Sequence, residues 1–159
     1  MAKKSFMKGA VILGFAGVIV KILGAFFRIP LGNIIGETGM GYYQTAYPVY
    51  VLLLTLSTAG IPTAIARLVS DRTAEGHHRE AYRIFKLSFF LLGGIGLVSA
   101  GILFFGAPYI IKISATTEAV HAMRAIAPAL LIVPIMAAFR GYFQGVQDMT
   151  PTATSQVFE

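Results

Sequence analysis

The sequence predicts an all-α protein, a polytopic bundle of transmembrane helices with four complete spans and the start of a fifth. Of its 159 residues, 56% are hydrophobic and only 13% are charged, and the mean hydropathy is +0.73. Soluble domains carry about 25% charged residues, so this composition indicates an integral membrane protein. The apolar residues also fall into stretches near the ~20 residues that cross about 30 Å of hydrocarbon.

Hydropathy and length place the spans at 9–29, 46–69, 87–107 and 120–141, and the start of the fifth at 151–159. We expect Pro30 and Pro108 to end the first and third spans, because proline cannot donate a helical hydrogen bond. For the same reason Gly60-Ile61-Pro62 is expected to bend the second span, and Pro128 with Pro134 the fourth.

Basic residues predict the orientation. The N-terminal tail carries Lys3, Lys4 and Lys8, and the expected loop at 70–86 carries four more lysines and arginines. The other two expected loops, 31–45 and 109–119, hold a single lysine between them. The positive-inside rule therefore puts the N-terminus and loop 70–86 in the cytoplasm of a multi-pass protein of the bacterial plasma membrane. Topology thus explains the net charge of +6, and we expect no nucleic acid partner. The first span is too long for a cleaved signal peptide and is interpreted as an uncleaved anchor.

Small and cationic residues form one stripe along the first span. The stripe consists of Ala10, Gly14, Gly17, Lys21, Gly24 and Arg28, which lie within roughly 40° of one line on a helix. Cations that face lipid are costly, and a small-residue face usually lies inside a bundle or beside a wet cavity. Lys21 and Arg28 would be about 10 Å apart along the helix axis. That spacing suits a diphosphate with an adjoining polar group, so the stripe predicts an anionic ligand.

Two further cations, Arg67 and Arg140, lie at the inner ends of the second and fourth spans. They are either positive-inside anchors or the cytoplasmic entrance of an anion path. Arg124 is expected to reach the outer headgroups. The sequence contains no cysteine, no phosphate-binding loop, no HExxH motif and no Ser-His-acid set, and His77-His78 lacks ligand partners at metal-binding spacing. We therefore expect no enzyme activity, no metal and no cofactor.

Several motifs, in order, resemble one transporter superfamily. They are Lys21-Ile-Leu-Gly-Ala-Phe-Phe-Arg28-Ile-Pro-Leu31, Gly36-Glu-Thr-Gly-Met-Gly-Tyr-Tyr-Gln44, Thr58-Ala-Gly-Ile-Pro-Thr-Ala-Ile-Ala-Arg67, Arg140-Gly-Tyr-Phe-Gln-Gly145 and Met149-Thr-Pro-Thr-Ala153. Together they resemble the multidrug/oligosaccharidyl-lipid/polysaccharide (MOP) flippase superfamily. The likeness is to its polysaccharide biosynthesis branch, with the stage V sporulation protein B-like proteins and the MurJ-type lipid II flippases.

The resemblance implies a transporter of 12–14 helices in two lobes around a central cavity, of which residues 1–159 are the N-terminal part of the first lobe. It implies that undecaprenyl-diphosphate-linked cell-envelope precursors cross the membrane by alternating access without ATP hydrolysis. The implied partners are a lipid-linked saccharide diphosphate, membrane lipids and a coupling ion. Lys21 and Arg28 match the cavity cations of the first helix. Here Arg28 is followed by Ile29 where the MurJ pattern has an aspartate, which leaves other lipid-linked polymers open as cargo.

Two other functions stay open at this point. One is a cation-coupled multidrug exporter of the same superfamily, although such exporters place carboxylates inside their spans and none is present in these four. The other is a non-transporting membrane scaffold, or a fragment of one, that oligomerises through its glycine-rich faces.

Overall fold

A computed structural model describes residues 2–111 and 119–158, with side chains described for Gly9 and from Val11 onward. All regular secondary structure in these ranges is helical, which confirms the all-α class. The helices are α1 (Ala2–Thr58), α2 (Ile61–Ala74), α3 (His78–Ile111), α4 (Ala119–Ile126), α5 (Ala129–Gly145) and α6 (Thr150–Phe158). Within the described residues, three segments are long and apolar enough to cross a membrane: Val11–Ala74, His78–Ile111 and Ala119–Gly145.

The 64-residue segment Val11–Ala74 contains the second predicted span and all but the first two residues of the first. At 1.5 Å per residue it holds roughly 95 Å of helix, about three times the thickness of the hydrocarbon. The helix does not end at Pro30, and the expected loop at 31–45 is helical on both sides of Gly36. Gly36 alone leaves helical geometry, with φ 69° and ψ 179°. A single glycine confines the break to one residue because it adopts positive φ without a steric penalty.

The expected cytoplasmic loop at 70–86 is also mostly helical. α2 continues to Ala74 and α3 begins at His78, so only 75–77 connect them, with Gly76 at φ 78°. At the other end, α3 passes through Pro108 and continues to Ile111 rather than stopping. The charged residues of 78–86 are good helix formers, so their polarity is not evidence for a loop. A proline near a helix end disturbs few backbone hydrogen bonds.

The expected interruption of the second span is confirmed, and that of the fourth is confirmed at Pro128 but not at Pro134. α1 ends at Thr58, and Gly60 is left-handed at φ 70° before α2 begins. Pro62 lies in the first turn of α2, where its missing N–H is one that the helix would not use. α4 and α5 are separated at Pro128, whereas Pro134 remains inside α5.

The chain divides into two compact units. Unit 1 comprises Met1–Pro30, Gly60–Ser88 and Ala138–Glu159, and unit 2 comprises Leu31–Ala59 and Phe89–Ala137. The core of unit 2 is a cluster of small and aliphatic side chains from α1, α3, α4 and α5: Ala46, Leu103, Ala107, Ile111, Ala119, Met123, Ala127 and Leu130. Many large apolar side chains among the described residues are exposed, as expected where lipid is the solvent.

In unit 1, α5 packs against α2 through two glycines one turn apart. A β-carbon on Gly141 would lie 2.8 Å from the carbonyl oxygen of Pro62. A β-carbon on Gly145 would lie 2.8 Å from the carbonyl oxygen of Ala66 and 2.6 Å from Cβ of Val69. The motif Arg140-Gly-Tyr-Phe-Gln-Gly145 is therefore a GxxxG contact, in which small residues let two helix backbones approach closely.

Candidate functional site

The four candidate cations all lie in unit 1. Lys21 and Arg28 are exposed on α1, Arg67 is exposed on α2, and Arg140 is half-buried on α5. Of these, Arg140 donates from Nε to the hydroxyl oxygen of Ser155, at 3.4 Å, and so connects α5 to α6. The fold thus brings the four residues into one compact unit, although they come from three different helices.

Positive charge is concentrated in this unit. Of the thirteen lysines and arginines, all but Lys112 and Arg124 belong to unit 1. Unit 2 also contains two acidic residues, Glu37 and Glu118, so the formal net charge of +6 comes entirely from unit 1. An anion would therefore be attracted to unit 1 rather than to unit 2.

One face of α1 packs next to α6 and Met149, the residue before it. At the N-terminal end, a β-carbon on Gly9 would lie 2.6 Å from Cγ of Met149, and Ala16 further along is buried. Toward the other end, the two helices line an apolar groove of about 380 Å³, formed by Val20, Leu23, Gly24, Phe27, Gln156, Val157 and Phe158. Together with Gly9 and Ala16, the residues Val20, Leu23 and Phe27 recur at three-, four- and seven-residue spacings and define the packed face of α1, and Gly24 lies at its edge.

The stripe of small and cationic residues is a different face, centred roughly 90° around the helix from the packed face. Gly14, Gly17 and Gly24 each have no neighbouring heavy atom within 4 Å of the place a β-carbon would take. No described element therefore occupies the space beside these glycines, although Gly24 also borders the groove between α1 and α6. Ala10, the first member of the stripe, lies outside the residues whose side chains are described. Phe15 and Phe26, on the side opposite the stripe, are about 70% exposed, as lipid-facing residues would be.

The charged residues around the turn between α2 and α3 pair with one another. Arg72 pairs with Glu75 at 2.9 Å and with Glu80 at 3.3 Å, and Nδ1 of His77 lies 3.4 Å from Glu75. All of these side chains are about half exposed, so the pairs contribute little stability. Among the described residues, no group of three or more potential ligands is close enough to hold a metal ion.

Arg124 contacts Phe104 on α3, and its expected reach toward the outer headgroups stays a prediction. Its Nε lies 3.4 Å from the carbonyl oxygen of Phe104, and its guanidinium carbon lies 5.5 Å from the centroid of the same residue's ring. Sequence reasoning missed this contact, and it also missed the packing role of Gly141 and Gly145. The sequence holds one indication of each: the proline four residues after Phe104 for the Arg124 contact, and the four-residue spacing of the two glycines for the packing.

Comparison with known proteins agrees with the motifs. Residues 6–159 match the family model described as "Polysaccharide biosynthesis protein". The chain is 38% identical to stage V sporulation protein B of Bacillus subtilis (strain 168), an alignment that covers 100% of the chain and 31% of that protein. It is 38% identical to the membrane protein YabM of the same organism, over 96% of the chain and 28% of YabM.

A third relative, the lipid II flippase MurJ of Bacillus subtilis (strain 168), is 33% identical over 96% of the chain and 30% of its own length. The chain thus spans about a third of the length of these relatives. No solved structure matches it significantly. Since the family model covers nearly every residue, the chain is part of a multi-pass membrane protein and belongs to the polysaccharide biosynthesis protein family of the MOP flippase superfamily.

Proposed function

We propose that the protein containing this chain flips undecaprenyl-diphosphate-linked cell-envelope precursors, lipid II or a related lipid-linked oligosaccharide, across the bacterial plasma membrane by alternating access. The observation that carries the proposal is the similarity of nearly the whole chain to MurJ, whose name is lipid II flippase, and to stage V sporulation protein B. In this proposal residues 1–159 are the N-terminal part of the first lobe, and the protein is a transporter rather than an enzyme.

Lys21 and Arg28 are proposed to bind the diphosphate. A diphosphate that crosses hydrocarbon alone loses its hydration at a large free-energy cost, and fixed cations in a wet cavity replace part of that hydration. Both cations lie on the stripe whose glycines have open space beside them. Arginine binds phosphate through a two-pronged guanidinium and lysine acts as a point charge, so this pair, about two turns apart on α1, suits a diphosphate with an adjoining polar group.

Arg67 and Arg140 are proposed to attract the headgroup on its way to that pair. They share unit 1 with Lys21 and Arg28, and this unit carries all of the net positive charge. With the N-terminus in the cytoplasm, both would lie toward the side where the precursor is made. Several separate cations favour transfer of the headgroup from one site to the next, since a single tight site would slow its release.

The test is substitution in the intact protein, in cells that depend on it for precursor export. Lys21→Ala and Arg28→Ala each remove one charge-assisted contact, worth about 1.5–3 kcal/mol, so binding should weaken about 10- to 150-fold. We expect lipid II at the outer surface to fall accordingly while the variant's level in the membrane is unchanged. Arg83→Ala is the matched control, because Arg83 is an exposed cation of α3 outside the proposed site.

Charge-preserving changes refine the assignment. Lys21→Arg is expected to retain most flipping, and Arg28→Lys to retain part of it, because lysine keeps the charge but loses the two-pronged contact. Normal flipping by both alanine variants would refute the site assignment. Normal precursor export in cells that lack the whole protein, combined with reduced efflux of cationic drugs, would refute the cargo and favour an exporter.

A further inference from the structure

A proline inside α3 leaves one backbone carbonyl without its regular partner. In an α-helix the carbonyl of residue 104 accepts a hydrogen bond from the N–H of residue 108. Position 108 is Pro108, which has no N–H, and it lies within α3 rather than after it. The carbonyl oxygen of Phe104 therefore needs another donor, and the interior of a bilayer supplies none.

The side chain of Arg124 contacts this carbonyl. Its Nε donates to the carbonyl oxygen of Phe104 at 3.4 Å, and its guanidinium carbon lies 5.5 Å from the centroid of the Phe104 ring. One residue of α3 thus contributes both a hydrogen-bond acceptor and a ring face to the same guanidinium. A cation over an aromatic ring is attracted by its quadrupole, more strongly when the pair is shielded from water.

We propose that Arg124 supplies the donor that Pro108 lacks, and that this contact fixes α4 on α3. α4 has only eight residues and is separated from α5 at Pro128, so its position depends on what it packs against. Its Met123 is fully buried in the unit 2 core. Arg124, the next residue, adds a polar contact beside that apolar one. This role does not depend on the proposed cargo, and it differs from an arginine that anchors a helix to lipid headgroups.

The proposal predicts a specific coupling between positions 108 and 124. With Pro108 present, Arg124→Met leaves the carbonyl of Phe104 without a donor. In the Pro108→Ala background, the new N–H satisfies this carbonyl within α3, so the same change at position 124 removes only the ring contact. We expect the fall in Tm of the intact protein on Arg124→Met to be at least about twice as large with Pro108 as in the Pro108→Ala background.

A headgroup anchor predicts otherwise. In that case Arg124→Lys would behave like the original protein, since both cations reach the headgroups, and the residue at 108 would not change the effect of Arg124→Met. Equal Tm losses in the two backgrounds would overturn the proposal. We expect Arg124→Lys to lose part of the stability, because lysine lacks the planar guanidinium that can lie over the ring while its Nε donates to the carbonyl.

A second measurement, the distance between spin labels on α3 and α4, reports the position of α4 directly and is made well below the unfolding temperature. The 159 residues contain no cysteine, so spin labels can be attached at cysteines substituted for Ile102 on α3 and His121 on α4, which are both exposed. We expect a narrow distance distribution with Arg124 and a broader one with Arg124→Met. Distributions of unchanged width would show that α4 is held without this contact and would overturn the proposal.

Discussion

Gly145→Ala tests the close approach of α5 to α2. The added β-carbon would lie 2.6 Å from Cβ and 2.7 Å from Cγ1 of Val69, and 2.8 Å from the carbonyl oxygen of Ala66. Two of these atoms, the carbonyl oxygen and Cβ of Val69, are fixed to the backbone of α2, and a β-branched side chain has little rotamer freedom in a helix. The contact can be relieved only if the helices move apart, which would also loosen the neighbouring contact at Gly141.

The size of the effect follows from two opposing terms. Overpacking a well-packed contact costs about 1–3 kcal/mol. Alanine in place of glycine within a helix gains about 0.5–1 kcal/mol, because it loses less conformational freedom on folding. Gly145→Ala should therefore destabilise the protein by about 0.5–2 kcal/mol. Gly94 on α3 has no heavy atom within 4 Å of its β-carbon position, so Gly94→Ala should be neutral or stabilising by up to about 1 kcal/mol.

The measurement is the thermal unfolding of the two purified variants of the intact protein in the same detergent. Gly145→Ala should unfold at a lower temperature than the original protein, and Gly94→Ala at the same or a higher one. The difference between the variants isolates the contact, because both make the same chemical change in a membrane helix. If Gly145→Ala is as stable as Gly94→Ala, α5 does not approach α2 as closely as described here.

Two further predictions concern the bend between α1 and α2 and a buried hydroxyl pair. Gly60 has φ 70°, so Gly60→Ala should destabilise the protein by about 1–2 kcal/mol and lower its Tm. Gly60→Asn should cost less, because asparagine tolerates left-handed geometry. Equal Tm values for the two variants would contradict this prediction. Ser57 donates to the carbonyl oxygen of Leu53 and lies 2.7 Å from the hydroxyl of Ser99, which must therefore donate to it. Each single change to alanine should cost about 0.6–1.7 kcal/mol by thermal unfolding, and the double change should cost less than the sum; strict additivity would show that the hydroxyls do not interact.

The helical class and the main interruptions of the helices follow from the sequence, because they depend on composition and on residues that break helices locally. Hydropathy requires helices in lipid, and Gly60 and Pro128 mark two breaks. The continuity of helix through 31–45 and 70–86 does not follow in the same way. Polar and glycine-containing segments indicate where the chain is in contact with water, but they do not decide its secondary structure. Arg79 and Lys86 are as compatible with a helix as with a loop.

The candidate site was predictable only in part. The periodicity of α1 is enough to put Lys21 and Arg28 on one stripe, because both residues belong to the same helix. Which face of α1 meets α6 depends on residues more than a hundred positions later in the chain, such as Met149, and periodicity alone cannot identify that face. The local indication of the packed face in the sequence is the small size of Gly9 and Ala16, which lie seven residues apart.

The two prolines inside α3 and α5 are accommodated by opposite means. At Pro108 the carbonyl that lacks its regular donor, that of Phe104, receives one from an arginine side chain. At Pro134 the corresponding carbonyl is that of Leu130, and its oxygen lies so close to α3 that a β-carbon on Gly96 would be only 2.8 Å away. In the second case a glycine backbone covers the oxygen, where a weak Cα–H···O contact is the available interaction. Since hydrocarbon offers no donors, each proline needs a residue on a neighbouring helix, and this need restricts both Arg124 and Gly96 without involving any substrate.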